Sequence, residues 1–271
     1  MPTFVVDTEK CKKDGICALV CPARIITAPL GKEPFIRPES RVHCIGCGHC
    51  VAYCPHDACR LEGMETTPVE KNLLPSEESV NALLRSRRST RIFKETPIKK
   101  ERISQFLDTM RYAPSASNRQ PLRWIVLYER EKLNGLGECL ARSMRNFASE
   151  QPSASFAPLA RALASNWEKG VDVFFRGAPH ILICIAPEPS THTLAIIDGA
   201  IALTYMEIMA TSMGLGVCWG GYLTLRGDSP EIRDYLGLNS GEVLAGAQMF
   251  GEPVLHPKAI PARSNTRVEW R

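Results

Sequence analysis

The stretch "CIGCGHCVAYCP", residues 44–55, places four cysteines at the spacing C-x2-C-x2-C-x3-C and ends in proline. Three cysteines two residues apart can bind three irons of one iron–sulfur cube, and the fourth cysteine of such a run ligates a second cluster. A zinc site more commonly uses two separated C-x2-C pairs, so zinc is the less favoured alternative. The stretch therefore predicts two iron–sulfur clusters in one small domain.

An earlier copy of this stretch lies 33 positions before it and begins with "CKKDGIC" at residues 11–17. The cysteines, a glycine and the proline coincide in the two copies, except that Asp14 takes the place of Cys47. Because the fourth cysteine of each copy crosses over to the other cluster, the repeat predicts two ligand sets. These are Cys21, Cys44, Cys47 and Cys50 for one cluster, and Cys11, Asp14, Cys17 and Cys54 for the other.

Asp14 leaves the second ligand set open to two interpretations. A carboxylate is a harder ligand than a thiolate, so an iron bound by Asp14 would be weakly held. That cluster would be a [4Fe–4S] cluster with one oxygen ligand or a [3Fe–4S] cluster, whereas the four-cysteine set predicts a [4Fe–4S] cluster. Alternatively, Asp14 only forms an Asp-Gly turn and binds no iron.

Residues 1–63 as a whole resemble the two-cluster bacterial-type ferredoxins. Cys59 lies outside the ligand pattern, and Ile26 stands at the corresponding place in the first copy. We therefore expect Cys59 to be a small core residue beside a cluster. The histidines near the ligands are predicted to be surface or supporting groups; they are His43, His49 and His56.

The composition is that of an ordinary globular chain with an uneven distribution of cysteine. Of the 271 residues 44% are hydrophobic and 23% are charged, and the net charge of +4 is too small to indicate a partner. Eight of the eleven cysteines lie within the first 59 residues, which indicates metal chemistry rather than disulfides and marks a domain boundary.

The N-terminus lacks a signal-peptide pattern, and the apolar stretches at 181–186 and 194–206 are short or charged. We expect a cytoplasmic protein with no membrane span.

Residues 64–78 are predicted to be a linker, because they contain two prolines and several charges and lack a clear period. Residues 79–271 then interleave amphipathic segments with short apolar ones, which predicts a layered domain of the α/β or α+β class. Of the two we expect α+β, with a central sheet flanked by helices. Helices are predicted within 76–89, 97–114 and 193–213, and strands at 124–128, 181–186 and 243–251.

The run "RSRRSTR", residues 85–91, contains four arginines within seven residues. It can be a solvated helix face, a nucleic-acid patch or a phosphate-binding segment. Arginine binds phosphate through two parallel hydrogen bonds, and an adjacent serine adds a neutral donor. Glu95 and Glu101 interrupt the positive patch, which disfavours nucleic acid.

The run "GLGVCWGG", residues 214–221, does not fit the dinucleotide-binding pattern G-x-G-x-x-G, because Trp219 takes the place of the third glycine. A Rossmann dinucleotide site is therefore not supported.

Five motifs follow one another along residues 79–271: "RRSTRIF" (87–93), "APSASNRQP" (113–121), "GAP" (177–179), "DGAIALTYMEIMATSMGLGVCWGG" (198–221) and the closing "FGEP…PARSNTRVEW". In sequence, order and spacing they resemble the FMN-dependent nitroreductase family. The N-terminal domain makes the chain similar to the ferredoxin-fused branch of that family. The resemblance implies a domain-swapped homodimer with FMN at the subunit interface.

The resemblance also implies a set of FMN-contacting residues. Arg87, Arg88, Ser89 and Arg91 would hold the phosphate and ribityl chain, with Arg263 closing from the C-terminal segment. Pro114, Ser115, Ala116 and Asn118 would approach the isoalloxazine from the other subunit. Trp219, Gly220 and Gly221 would line the edge of the ring, with main-chain amides near its polar atoms.

The segment 151–176 matches no motif of the family, and connections of this kind often cover a ligand. Its aromatic residues would line a substrate pocket or, as the favoured interpretation, pack in the core; they are Phe156, Trp167, Phe174 and Phe175. Cys218 is predicted to be a packing residue, because no neighbour in sequence would lower the pKa of its thiol.

The two domains together predict a relay in which the clusters pass electrons to or from FMN, and FMN reduces a small organic acceptor such as a nitroaromatic or a quinone. No side chain is assigned as a general acid or base. The expected donor is a ferredoxin or NAD(P)H. A non-enzymatic electron carrier or redox sensor is the alternative, and a nucleic-acid-associated protein is disfavoured.

Overall fold

The structure is a computed structural model that describes residues 2–271 of the chain. The chain divides into two compact units. The first unit contains the chain up to Leu74 together with Ala116–Arg119, and the second contains Pro75–Ser115 and Gln120–Arg271. The division between Leu74 and Pro75 falls within the segment that the sequence predicts as a linker.

The first unit repeats one small arrangement of strands and a helix. Helix α1 (Ile16–Leu19) follows Gly15 and helix α2 (His49–Ala52) follows Gly48, and both glycines have positive φ, 74° and 75°. This left-handed conformation favours glycine, so the two glycines explain why both copies of the repeat turn into a helix at the same place. Two antiparallel strand pairs complete the unit: β1 (Phe4–Val6) with β4 (Cys59–Leu61), and β2 (Ile26–Thr27) with β3 (Phe35–Ile36).

The second unit is built on a four-stranded antiparallel sheet in the order β5-β6-β8-β7. Its strands are β5 (Arg123–Leu127), β6 (His180–Pro187), β7 (Gly216–Trp219) and β8 (Glu242–Gly251). Seven of the eight residues of β6 are buried, as expected for an inner strand that is covered on both faces.

Helices cover both faces of this sheet. The side chains of β6 alternate between two apolar clusters, with Ile181, Ile183 and Ile185 in one and Leu182, Cys184 and Ala186 in the other. Helices α5 (Arg130–Glu150), α6 (Ala157–Glu168), α8 (Gly221–Leu225) and α9 (Pro230–Leu236) contribute to the first cluster, and α4 (Lys100–Met110) and α7 (Ala195–Ser212) to the second. Helix α3 (Glu77–Ser86) precedes them, with Ser76 accepting a hydrogen bond from the Ser79 N–H at its start. The α+β fold predicted from the sequence is confirmed.

Helix α7 is, among residues 2–271, the one helix that is long and apolar enough by length and composition to cross a membrane. In the structure it contacts α4, β6, β7 and β8, and it carries the buried carboxylates Asp198 and Glu207. These contacts are those of a core helix.

The segment 151–176 forms helix α6 and a turn that leads into β6. Phe174 and Phe175 are 4% and 2% exposed and belong to the apolar cluster on that face of the sheet. Trp167 and Phe156 are partly buried against the same cluster. The favoured interpretation of these aromatic residues as core residues is therefore confirmed.

Candidate functional site

Two cavities in the first unit collect the cysteines of the repeat. One cavity, of about 350 Å³ including space open to solvent, is lined by Cys11, Asp14, Cys17 and Cys54. We call it the Asp14-side cavity. The other, of about 360 Å³, is lined by Cys21, Cys44, Cys47 and Cys50, and we call it the Cys47-side cavity. The fold thus brings together the same two sets of four residues that the crossover of the repeat predicts.

The side chains in these cavities fit an iron–sulfur cluster better than a single ion. Within residues 2–271, no three His, Cys, Asp or Glu side chains converge closely enough to hold one metal ion. In an iron–sulfur cluster each thiolate binds a different iron, so the cysteine side chains need not converge on one point. The Ala58 N–H also donates a hydrogen bond to Cys54 Sγ over 3.3 Å, the kind of contact that tunes cluster potentials.

Asp14 lines its cavity but has other partners as well. Its Oδ1 accepts a hydrogen bond from the Ile16 N–H at 3.1 Å, which is the Asp-Gly turn interaction. Its Oδ2 lies 3.4 Å from Nε2 of His56, and both side chains are about one-third exposed. Asp14 is therefore held at the mouth of the cavity by its own turn and by a histidine that the sequence had suggested only as a supporting group.

Cys59 is a further cysteine of the Asp14-side cavity. A hydrogen bond with the Cys59 thiol lowers the pKa of Cys17 to about 7. The same hydrogen bond, together with burial, raises the pKa of Cys59. The proton of this pair therefore stays on Cys59 when Cys17 is a thiolate.

A cavity in the second unit is lined by the whole run from Ser86 to Ile92, together with residues of the α7–β7 turn and the segment after β8. The run begins at the last residue of α3, Ser86, and is fixed against the sheet edge by a bridge between Ser89 and Val217 of β7. The Thr90 N–H donates to the Val217 carbonyl over 2.9 Å. We call this the arginine cavity, and it contains the predicted phosphate contacts Arg87, Arg88, Ser89 and Arg91.

Gly216 lies close to the side chain of Thr90 in the lining of the arginine cavity. A Cβ atom at Gly216 would lie 2.4 Å from Thr90 Oγ1 and 2.7 Å from Thr90 Cβ. Only glycine lets the chain after α3 lie this close to β7.

Glu207 is a site residue that the sequence did not reveal. It lies on α7 and is 6% exposed. Its Oε1 accepts a hydrogen bond from Arg87 Nη1 at 2.6 Å, and its Oε2 accepts one from Trp219 Nε1 at 3.3 Å. The carboxylate thus joins a residue predicted at the flavin phosphate to one predicted at the flavin ring.

The remaining predicted FMN contacts lie outside the arginine cavity. Pro114 and Ser115 line a separate cavity with Trp124 and Asp198. Ala116 and Asn118 belong to the first unit, where Asn118 Nδ2 donates to the carbonyls of Ile45 and Gly46 at 3.1 Å each. Arg263 is exposed in the C-terminal segment.

One of the main-chain amides predicted to lie near the flavin ring, that of Gly220 after β7, already donates a hydrogen bond within the protein. The Gly220 N–H donates to the Ala247 carbonyl over 2.8 Å, so this amide is occupied within the sheet. Gly221 begins α8. Cys218 is 7% exposed, and burial raises the pKa of its thiol, as expected for a packing residue.

Comparison with known proteins gives two family matches. Residues 84–252 match the Nitroreductase family, and residues 3–55 match the 4Fe-4S dicluster domain. A putative NADH dehydrogenase/NAD(P)H nitroreductase of Archaeoglobus fulgidus is 25% identical over 173 residues, which are 63% of this chain and 83% of that protein.

Solved structures share the fold of the second unit. A nitroreductase with bound FMN from Bacteroides fragilis superposes with a TM-score of 0.58 at 24% identity, over 72% of this chain and 100% of that one. A nitroreductase with bound FMN from Desulfitobacterium hafniense gives a TM-score of 0.55 at 23% identity, over 72% and 100% of the two chains. The FMN-dependent nitroreductase NfnB from Mycobacterium smegmatis, in complex with NADPH, gives 0.52 at 19% identity, over 71% and 99%.

The family match covers more than half of the chain, and the helix-covered antiparallel sheet agrees with it. The chain therefore belongs to the nitroreductase family of oxidoreductases and carries a 4Fe-4S dicluster domain ahead of its nitroreductase domain.

Proposed function

We propose that this protein is an FMN-dependent oxidoreductase whose two iron–sulfur clusters relay electrons to or from FMN, with a nitroaromatic or quinone-like molecule as acceptor. The observation that carries the proposal is that one nitroreductase-family chain holds two cysteine-lined cavities and one arginine-lined cavity. When bound, the clusters supply single electrons and FMN exchanges one or two, so the cofactors provide the redox chemistry.

The arginine cavity is the proposed site for the FMN phosphate. Arg88 and Arg91 are exposed side chains in its lining, and Ser89 is fixed by its bridge to Val217. Two guanidinium groups and a hydroxyl suit a dianionic phosphate. Arg87 adds less net positive charge to the cavity than Arg88 and Arg91, because its guanidinium is paired with the Glu207 carboxylate.

The proposed cysteine ligands are those of the repeat, with Cys21, Cys44, Cys47 and Cys50 holding a [4Fe–4S] cluster in the Cys47-side cavity and Cys11, Cys17 and Cys54 in the Asp14-side cavity. Asp14 is the proposed oxygen ligand of a fourth iron in the Asp14-side cavity, which would hold a [4Fe–4S] or [3Fe–4S] cluster. Its place in the cavity lining supports this role. Iron binding would replace its contact with His56.

A homodimer is the proposed assembly. Pro114, Ser115, Ala116 and Asn118 lie outside the arginine cavity of their own chain, which is consistent with a role toward FMN bound by the other subunit. The C-terminal segment that carries Arg263 is exposed over residues 254–271 and would close the site after assembly.

The proposed electron donor is a reduced ferredoxin or NAD(P)H, and the proposed location is the cytoplasm. The NADPH complex of the Mycobacterium smegmatis relative supports a nicotinamide donor. A ferredoxin donor is supported by the dicluster domain of this chain. No side chain is proposed as a general acid or base.

The test begins with anaerobic purification and measurement of flavin, iron and sulfide per chain. Turnover of a nitroaromatic and of a quinone is then measured with reduced ferredoxin, NADH and NADPH as donors. We expect FMN and two clusters per chain, steady turnover, and loss of ferredoxin-driven turnover in Cys47→Ser with FMN content unchanged. Reduction of the cofactors without turnover of any acceptor would instead indicate an electron carrier or redox sensor.

A further inference from the structure

Cys59 lies in the Asp14-side cavity although it belongs to neither predicted ligand set. Its side chain is 4% exposed, and β4 holds it opposite Val6 of β1. Cys59 lines this cavity together with Cys17 and Cys54, two of its predicted ligands, and packs with both in one apolar cluster. Sulfurs that are bound to iron as thiolates carry no proton, so the single S–H group of Cys59 is the donor available to them.

The other copy of the repeat lacks this donor. Ile26 is related to Cys59 by the same offset of 33 residues that relates the ligand cysteines. It is also buried, on β2, and it lines the Cys47-side cavity. An isoleucine side chain has no proton to donate, so the two cavities differ by one S–H group at equivalent positions.

We propose that Cys59 tunes the cluster of the Asp14-side cavity: its single S–H group donates to the iron-bound sulfur of Cys17, with Cys54 as a second acceptor of the same proton, and so raises the reduction potential of that cluster. The inference rests on the proposed function only in requiring that the clusters are present. Reduction adds negative charge to the cluster and its thiolates. A hydrogen-bond donor to sulfur stabilises this reduced form more than the oxidised form.

This role differs from ligation. A cube has four irons, and the repeat already supplies one residue of this cavity for each of them: Cys11, Asp14, Cys17 and Cys54. Cys59 stands outside the C-x2-C-x2-C-x3-C spacing. It therefore lies beside the ligands as a supporting residue.

The repeat supplies a reciprocal pair of variants for the test. Cys59→Ile gives the Asp14-side cavity the residue of the other cavity, and Ile26→Cys makes the opposite change. Iron and sulfide are counted in the anaerobic holoprotein, and the potential of each cluster is measured by EPR at controlled potentials. The signal of the Asp14-side cluster is identified as the one that changes in Asp14→Cys. Cys59→Ser, which keeps a donor, is the conservative variant.

We expect Cys59→Ile to lower the potential of the Asp14-side cluster alone, with iron and sulfide unchanged, and Cys59→Ser to restore part of the shift. Ile26→Cys should raise the potential of the Cys47-side cluster alone. Loss of iron from Cys59→Ile would show that Cys59 is a ligand and would overturn the proposal. Intact clusters with unshifted potentials in both variants would also overturn it, while leaving the proposed function standing. A wild-type protein without clusters would refute the proposed function itself.

Discussion

Arg87 donates a hydrogen bond from Nη1 to Glu207 Oε1 over 2.6 Å, although 120 residues separate them in the chain. Arg87 follows the end of α3, and Glu207 lies on α7 with its other oxygen bonded to the Trp219 indole. Glu207 is almost completely buried, so its carboxylate oxygens rely on these two donors for hydrogen bonds. The carboxylate therefore contacts both the arginine run after α3 and the last residue of β7.

Glu207→Leu should destabilise the second unit by about 1–3 kcal/mol, because it leaves a partly buried guanidinium and an indole N–H without their acceptor. The measurement is urea denaturation followed by tryptophan fluorescence. Glu168→Gln is the matched control: it breaks the ion pair with Arg145, in which both side chains are about half exposed, and should cost less than about 1 kcal/mol. Equal effects of the two changes would show that burial of Glu207 is unimportant.

Arg88→Ala should weaken FMN binding by about 10- to 100-fold, the effect of losing one charge-assisted contact to phosphate. Binding is measured by the change in flavin fluorescence on titration of the flavin-free protein. Arg85→Ala removes the same charge from α3, and Arg85 does not line the arginine cavity. An equal loss in Arg85→Ala would mean that general positive charge, rather than the cavity, attracts the flavin.

Gly216→Ala should disturb the contact between the arginine run and β7, because the new Cβ would overlap Thr90. We expect a loss of about 1–3 kcal/mol in stability together with weaker FMN binding. Gly241→Ala is the control, since a Cβ there meets no atom within 4 Å. Unchanged stability and FMN binding in Gly216→Ala would show that this contact is dispensable.

Asp14→Cys should hold a four-iron cluster in the Asp14-side cavity and convert any three-iron EPR signal to a four-iron signal, because thiolate is the softer ligand. The spectrum is recorded before and after anaerobic reconstitution with iron. A three-iron signal that persists in Asp14→Cys after reconstitution would show that position 14 does not face the fourth iron.

Stability should fall between about pH 6.5 and pH 4 because of His180. This residue is fully buried; Nε2 accepts from the Ile98 N–H at 2.8 Å, and Nδ1 lies 3.1 Å from the Tyr128 carbonyl. Burial lowers the pKa of His180 to about 4 from 6.5. The unfolded chain therefore binds the proton first as the pH falls, and the contribution of neutral His180 to stability is lost over this range.

The measurement is the free energy of unfolding of the flavin-free protein against pH, compared with His180→Gln. The variant should be less stable at pH 7 and should lose less stability on acidification. Parallel curves for the two proteins would exclude His180 as the source.

Features with short-range causes were predictable from the sequence. The grouping of Cys21 with Cys44, Cys47 and Cys50 follows from the spacing within each copy and the crossover of its fourth cysteine, and the cavity lining shows the same set. The apolar runs at 181–186 and 193–213 predicted β6 and α7 within two residues at each end. These elements are indicated by the length of a local apolar run, which a single sequence displays.

Contacts between distant segments were not predictable in the same way. Glu207 stands in an apolar helical run, and nothing adjacent indicates that it would meet Arg87 and Trp219. The repeat marked Cys59 as the counterpart of Ile26 but could not show that it lines the same cavity as Cys17 and Cys54. In both cases the partners are chosen by tertiary packing, which local patterns do not encode.

The central claim is that the iron–sulfur clusters and the flavin of one protein exchange electrons and deliver them to an acceptor. Its most direct test is to add reduced ferredoxin anaerobically in small steps, recording the visible spectrum, and then to add a quinone without further donor. The account predicts that the iron–sulfur and flavin absorbances both bleach and that both recover together when the quinone is added. A colourless protein, or bleaching and recovery confined to the iron–sulfur absorbance, would contradict it.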